Sequence, residues 1–65
     1  MAVAKVIEVI AEGKSIDDAV KDAVKESAKS VRNIKSVYVE NITAVVEGND
    51  IKRYRVNCKV TFVVD

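Results

Sequence analysis

Three basic side chains alternate along the last third of this 65-residue sequence, in positions where together they could bind an anion. The positions of Arg53, Arg55 and Lys59 differ by even numbers, and in a β-strand such residues lie on the same face. Guanidinium and ammonium groups donate charge-assisted hydrogen bonds to phosphate and carboxylate oxygens. The same side chains could instead form salt bridges with Glu40 or with residues of another subunit. The sequence leaves both interpretations open.

Other residues that could do chemistry are few, and their surroundings favour structural roles. The absence of histidine excludes imidazole-based catalysis, and two isolated glycines cannot form a phosphate-binding loop. Val56 and Val60 are the neighbours of Cys58 on the apolar face of a strand, so we expect a buried and unreactive thiol. We therefore expect no enzymatic activity. Three neighbouring residues could hold a cation, namely Glu47, Asn49 and Asp50. A solvated turn is the simpler interpretation of this segment.

Size and composition restrict the class of protein more firmly than these motifs do. We expect one small domain, residues 1–65, which buries only about 60% of the surface of its unfolded chain and is marginally stable alone. One cysteine excludes an intrachain disulfide, and one cysteine without histidine excludes an ordinary zinc site. Oligomerisation is the remaining way to stabilise such a chain, so we expect self-association.

Charge and hydropathy argue against several classes of partner. A formal net charge of +1 is typical neither of a general nucleic-acid-binding protein nor of a polybasic membrane anchor. The apolar runs are too short to span a bilayer. Because the N-terminus lacks the basic and apolar regions of a signal peptide and the cysteine is free, we expect a cytoplasmic location.

Strict alternation predicts a long strand over residues 51–64, with one apolar face and one polar face. The apolar face comprises Tyr54, Val56, Cys58, Val60, Phe62 and Val64. Residues 2–11 are rich in valine and isoleucine and predict a first strand. This strand is apolar on both faces, because Val6 and Ile10 lie opposite the remaining valines and isoleucines.

A hairpin connects the last strand to the one before it. Residues 34–46 predict the second strand, and Gly48 with Asn49 predicts a two-residue turn that pairs Glu47 with Asp50. On the apolar face this register pairs Val37 with Val60, Val39 with Cys58, Asn41 with Val56 and Thr43 with Tyr54. On the opposite, open face it pairs Ser36 with Thr61, Tyr38 with Lys59, Glu40 with Asn57 and Ile42 with Arg55.

The segment after the first strand predicts an amphipathic helix that packs on the sheet. Ser15 is a good N-cap, and Asp18 three residues later can complete a capping box. Apolar residues recur at three- and four-residue spacing and form one stripe. The stripe comprises Ile16, Ala19, Val20, Ala23, Val24, Ala28 and Val31.

Together these elements predict an α+β fold with β-α-β-β order, in which a three-stranded antiparallel sheet packs on one helix. If the sheet is wholly antiparallel, the third strand must lie between the first and the second. The helix then covers one face of the sheet. The other face and both edges are left for contacts with other subunits, because long exposed edges are prone to association.

Nearly the whole chain resembles the dodecin family in length, element order and residues of each element. The residues that carry the resemblance are Lys5-Val6-Ile7-Glu8-Val9-Ile10, Ser15-Ile16-Asp17-Asp18-Ala19-Val20 through Ala23, Val31-Arg32-Asn33-Ile34, and Tyr54-Arg55-Val56 followed by Val60 and Phe62. The resemblance implies a hollow homododecamer of cubic symmetry. It also implies binding of riboflavin, FMN or a related flavin at subunit interfaces, for storage and quenching rather than catalysis.

Two positions of the implied flavin pocket differ from the family pattern. Ser36 stands where the flavin-stacking tryptophan is expected, and Arg55 stands where the glutamine that hydrogen-bonds the flavin ring is expected. These replacements predict weak or no riboflavin binding, with Tyr38, Glu40 and Asn57 as neighbouring pocket residues. The missing tryptophan also makes the chain similar to the calcium-dodecin type members. A calcium- or cation-binding assembly, with metal ligands left open, and a structural shell without a small ligand are therefore alternatives.

Overall fold

The computed structural model describes residues 3–64 and confirms the predicted α+β architecture with β-α-β-β order. The elements are β1 (Val3–Gly13), α1 (Ile16–Ser27), β2 (Ile34–Glu47) and β3 (Asp50–Val64). The strands form one antiparallel sheet in the order β1-β3-β2, so the last strand is central, as predicted. The predicted start of the first strand at Ala2 lies outside the described residues.

The turn between β1 and α1 depends on a serine cap and on a close approach of two backbones. The backbone N–H of Asp18 donates to Ser15 Oγ at 3.0 Å, which confirms Ser15 as the N-cap. Gly13 precedes this cap, and a Cβ atom placed on it would lie 2.6 Å from the backbone nitrogen of Ala19. The absence of a side chain at Gly13 therefore allows the helix to begin directly beside the end of the strand.

The end of α1 differs from the sequence prediction. The helix ends at Ser27, Ala28 caps it in an exposed position, and Val31 lies beyond it. The buried stripe continues from Ala23 to Ser27, the residue one turn further along, rather than to the predicted Ala28. A hydroxyl group thus enters the helix–sheet interface where the sequence pattern predicts only apolar side chains.

Replacing Ser27 with alanine should stabilise the fold. Ser27 is 5% exposed, and its Oγ has no hydrogen-bond partner among the described residues. Removing an unsatisfied buried hydroxyl and gaining alanine's helix propensity should raise the free energy of unfolding by about 1 kcal/mol. Chemical denaturation would measure the change, with the exposed Ser30→Ala as the matched control. A lower stability of Ser27→Ala would mean that the buried hydroxyl does form a stabilising hydrogen bond in the folded protein.

The strand register confirms the prediction at the turn and over residues 36–39 of β2. Gly48 and Asn49 both have positive φ, as a two-residue hairpin of this type requires, and Glu47 pairs with Asp50. At the other end, the predicted pairs are present as Ser36–Thr61, Val37–Val60, Tyr38–Lys59 and Val39–Cys58.

Between these two regions the predicted register is wrong by one residue. Glu40 in β2 and Lys52 in β3 are each an extra residue without a pairing partner on the opposite strand. The register shift caused by one is reversed by the other. The observed pairs are Asn41–Asn57, Ile42–Val56, Thr43–Arg55 and Ala44–Tyr54, in place of the predicted Asn41–Val56, Thr43–Tyr54, Glu40–Asn57 and Ile42–Arg55. The inserted residue at Glu40 turns Asn41 and Thr43 to the open face of the sheet and Ile42 to the helix side.

The hydrophobic core is small and lies under the middle of the sheet. Buried core residues are Ala11, Ala19, Ala23, Val56, Cys58 and Val60. At about 1.5 Å per residue the 12-residue helix spans roughly 18 Å, whereas the molecule is 51 Å long. The helix therefore covers only part of one sheet face. The hairpin extends beyond the helix, and its large apolar residues Ile42, Val46 and Ile51 are exposed.

Candidate functional site

The candidate site is the open face of the sheet, opposite the helix. Its central row, from β3, alternates with the buried residues of the core and consists of Arg53, Arg55, Asn57, Lys59 and Thr61. β1 adds acidic and apolar side chains to this face, namely Val6, Glu8, Ile10 and Glu12. β2 adds polar ones, namely Ser36, Tyr38, Asn41 and Thr43. The face thus combines paired charges with exposed apolar groups.

Lys59 occupies the middle of the open face and is held between carboxylates. Its Nζ lies 3.1 Å from Glu40 Oε1, and its main chain pairs with Glu8 of β1 on the other side. The hydrogen bond and charge of Glu40, together with the charge of Glu8, raise the pKa of Lys59 above its usual value. Glu40 reaches this position because it is the inserted residue of the bulge. Of the two interpretations that the sequence leaves open for Lys59, the salt bridge with Glu40 is the one that the single chain shows.

Arg53 and Arg55 share one carboxylate from β1. Arg53 Nε donates to Glu12 Oε1 and Arg55 Nε donates to Glu12 Oε2, both at 3.0 Å. Arg53 Nη1 also lies 3.5 Å from Glu47 Oε2. The hydrogen bond from Arg55, with the charges of both arginines, lowers the pKa of Glu12. All three basic residues of the sequence pattern therefore form ion pairs within the chain.

The two pocket positions implied by the family resemblance share the open face but lie far apart on it. Ser36 pairs with Thr61, and Arg55 pairs with Thr43 and Glu12. Thr61 and Arg55 are six positions apart along β3, which is roughly 20 Å at about 3.3 Å per residue. At that separation Ser36 and Arg55 of one chain do not lie side by side in one compact pocket.

The other predicted pocket residues lie between these positions. Tyr38 is 64% exposed and pairs with Lys59. Asn57 pairs with Ile10 on one side and Asn41 on the other. Thr43, beside Arg55, joins the open face although the predicted register placed it on the helix side. Two adjacent polar residues, Glu40 and Asn41, interrupt the alternation of β2 and are the signal that could have indicated the bulge.

The structure also locates the residues considered for metal and thiol chemistry. Glu47, one of the possible cation ligands at the hairpin, is directed towards Arg53. No group of three or more His, Cys, Asp or Glu side chains that could hold a metal ion occurs within residues 3–64. Cys58 is buried between Val9 and Val39 of the neighbouring strands, as predicted, and burial raises the pKa of its thiol.

A separate cavity of about 250 Å³ lies at the end of the molecule where the helix–β2 loop meets the end of β3. It is lined by Ser30, Val31, Arg32, Asn33, Phe62, Val63 and Val64. None of the predicted site residues belongs to it. Within the described part of the chain, no helix is long and apolar enough to cross a membrane.

Solved structures establish the class of protein that this fold defines. The chain superposes on the protein tt0972 of Thermus thermophilus with a TM-score of 0.93 at 21% identity, covering 100% of this chain and 97% of that one. A dodecin from Streptomyces coelicolor matches with a TM-score of 0.91 at 22% identity, covering 98% and 93%. A dodecin from Streptomyces davaonensis matches with a TM-score of 0.92 at 17% identity, covering 98% and 96%. The fold is that of the dodecins.

A comparison of the sequence with family models identifies the family of the chain. The family model described as Dodecin matches residues 3–65, so the chain belongs to the Dodecin family. No curated protein matches the sequence significantly. The resemblance inferred from the residues of each element is confirmed at the level of the family.

Proposed function

We propose that this dodecin assembles into a hollow homododecamer that binds and stores a small ligand of the flavin class and is not an enzyme. Its partners are copies of itself and the ligand, rather than nucleic acid or a membrane. The buried free thiol of Cys58 is compatible with a reducing compartment, and we place the assembly in the cytoplasm.

The main observation in support of the proposal is that a single subunit leaves much apolar surface exposed to water. The chain exposes 4807 Å², whereas a compact monomer of 7.1 kDa exposes about 4,100 Å². The excess includes the hairpin beyond the helix and the open-face residues Val6, Ile10 and Tyr38. Burial against other subunits would remove these apolar groups from water, and that burial is the main driving force of protein association.

The arrangement of the pocket positions also supports a site shared between subunits. Ser36 of β2 pairs with Thr61, six positions and roughly 20 Å along β3 from Arg55, so a compact pocket that contains both would take them from different chains. In such a pocket Ser36 offers no aromatic surface, and stacking contributes about 0.5–1.5 kcal/mol beyond burial. Arg55 replaces a neutral amide with a fixed positive charge. We therefore expect weak or no binding of riboflavin by the wild-type protein.

The double variant Ser36→Trp with Arg55→Gln tests the flavin hypothesis. Restoring the stacking ring and the amide should create or strengthen riboflavin binding, measured as quenching of riboflavin fluorescence on titration. Stacking alone predicts an affinity about two- to twelvefold higher for Ser36→Trp, with a further gain when the amide is added. The single variant Arg55→Gln is the matched control, because it removes the charge without adding the aromatic ring.

Two results would contradict the flavin hypothesis. If the double variant keeps the native mass of the wild type but does not quench riboflavin, the pocket is absent from this chain. If the wild-type protein already binds riboflavin tightly, Ser36 and Arg55 are not the residues that determine affinity, and the exposed ring of Tyr38 becomes the candidate stacking group.

Calcium binding and an empty structural shell are the competing functions, and the same preparations distinguish them. A calcium site would need carboxylates from several subunits, because the described residues of one chain form no such cluster. Calcium should then raise the melting temperature of the assembly, whereas magnesium at the same concentration should raise it less. An assembly that responds to neither flavin nor calcium would favour the structural shell.

A further inference from the structure

We infer that the cavity between the helix–β2 loop and the end of β3 binds a small aromatic carboxylate, with its carboxylate on Arg32 and its ring on Phe62. The cavity is separate from the open face, because none of the residues assigned to the ligand pocket on that face lines it. The inference adds a second ligand and so goes beyond the proposed function. Because the two sites share no residue, each hypothesis is tested independently of the other.

Hydrogen bonds hold the loop against the end of β3 and fix the walls of the cavity. Asn33 has a φ of 61°, a left-handed conformation that asparagine adopts more readily than most residues. Its carbonyl oxygen accepts a hydrogen bond from the backbone N–H of Val63 at 3.1 Å, and its Nδ2 donates to the carbonyl oxygen of Val63 at 3.4 Å. The backbone N–H of Ser30 donates to the carbonyl oxygen of Ser27 at 3.0 Å. A site with fixed walls loses little conformational freedom when a ligand binds.

The interior of the cavity suits one aromatic ring. Phe62 is half-buried on the helix side of β3, and Val31 and Val64 also line the cavity. An apolar cavity of about 150 Å³ accepts benzene. The volume here is about 250 Å³, which leaves room for a carboxylate beside one ring but is below the range of roughly 300–1,000 Å³ that is usual for ligand pockets. The ligand is therefore small.

Arg32 determines the charge preference of the cavity. Its guanidinium forms no hydrogen bond or ion pair with another residue within residues 3–64, whereas Arg53 and Arg55 are each held by a carboxylate. A guanidinium group binds a carboxylate through two parallel N–H···O bonds. No acidic side chain of the described residues lines the cavity. One unpaired cation beside apolar walls favours an aromatic acid with a single negative charge.

Fluorine NMR of 4-fluorobenzoate tests the recognition of the carboxylate. The wild-type protein should shift and broaden the fluorine signal on titration. Arg32→Gln should weaken binding at least about tenfold, because hydrogen bonds to a charged group are the strong ones. Lys35→Gln removes the same charge from an exposed residue outside the cavity and should leave binding unchanged. The neutral 4-fluorobenzamide should bind at least about tenfold more weakly than the acid and should respond much less to Arg32→Gln.

Methyl NMR and a cavity-filling variant test the location of the site. Addition of 4-fluorobenzoate should shift the methyl signals of Val31 and Val64, which line the cavity, and leave those of Val46 in the hairpin unchanged. Val31→Phe should occupy the cavity and reduce binding, while light scattering shows the same native mass as the wild type.

Three results would overturn the inference. The first is equal affinity of the wild type and Arg32→Gln for 4-fluorobenzoate. The second is a wild-type protein of native mass that does not bind 4-fluorobenzoate. The third is binding that occurs only in Asp65→Asn, which would assign the cavity to the side-chain carboxylate that follows Val64 in the chain. None of these results bears on riboflavin binding, so the proposed function stands or fails separately.

Discussion

Replacing Gly13 with alanine is expected to destabilise the protein by at least about 3 kcal/mol, the upper end of typical overpacking costs. The added Cβ would lie 2.6 Å from the backbone nitrogen of Ala19 and 3.0 Å from the backbone carbon of Asp18. Both neighbours are main-chain atoms in the first turn of α1, so relief requires a shift of the helix relative to the sheet. For a domain of 65 residues this is a large share of the total stability.

Gly48→Ala provides the matched control for this steric effect. A Cβ atom at Gly48 meets no atom within 4 Å, so the substitution causes only the backbone strain of an alanine at a φ of +56°. That strain should cost about 1–2 kcal/mol. The denaturation midpoints of the two variants, measured side by side, give the comparison. If Gly13→Ala were the milder of the two, the close contact between β1 and α1 would be wrong.

The thiol of Cys58 should react about a thousandfold more slowly in native buffer than in denaturant. Cys58 is 2% exposed under the helix, and burial raises the pKa of its thiol, so little thiolate is available for reaction. Reaction then requires opening of the fold, and a thousandfold protection corresponds to an opening free energy of about 4 kcal/mol. A chromogenic thiol reagent would measure both rates.

The control for the thiol experiment carries an exposed cysteine. In a Cys58→Ala background, Ser30→Cys places the thiol in the exposed loop after α1, where it should react at similar rates in both solutions. Similar rates for the wild-type Cys58 in native buffer and denaturant would mean that this face of β3 is not covered by the helix.

The elements were predictable from the sequence because each has its own local signal. Alternation along residues 51–64, the Ser15 cap and the Gly48–Asn49 turn each depend on neighbouring residues, and the structure confirms all three. The central position of β3 followed from the order of the elements together with the assumption that the sheet is wholly antiparallel. The end of α1 was not predictable in the same way, because Ser27 is buried by the sheet although its side chain is polar.

The register and the site were only partly predictable. A hairpin turn fixes pairing near itself, but the bulges at Lys52 and Glu40 change the pairing of the residues between them. The ion pairs of Arg53 and Arg55 with Glu12 were missed for a different reason. They join residues more than forty positions apart, and depend on the register between β1 and β3 rather than on local spacing.

One subunit alone does not define which residues line the ligand pocket. Ser36 and Arg55 were assigned to it by their match to family positions, and they share a face of the sheet without approaching each other. The residues opposite them in a shared pocket depend on how subunits are arranged. The assembly is therefore the central claim on which the proposed ligand site depends.

The mass of the native particle tests that claim most directly. Light scattering coupled to size exclusion, at micromolar concentration and moderate salt, should give twelve times the subunit mass of 7.1 kDa. The exposed hairpin and open sheet face are the surfaces that such an assembly would bury. A stable, folded particle of 7.1 kDa under the same conditions would contradict the account.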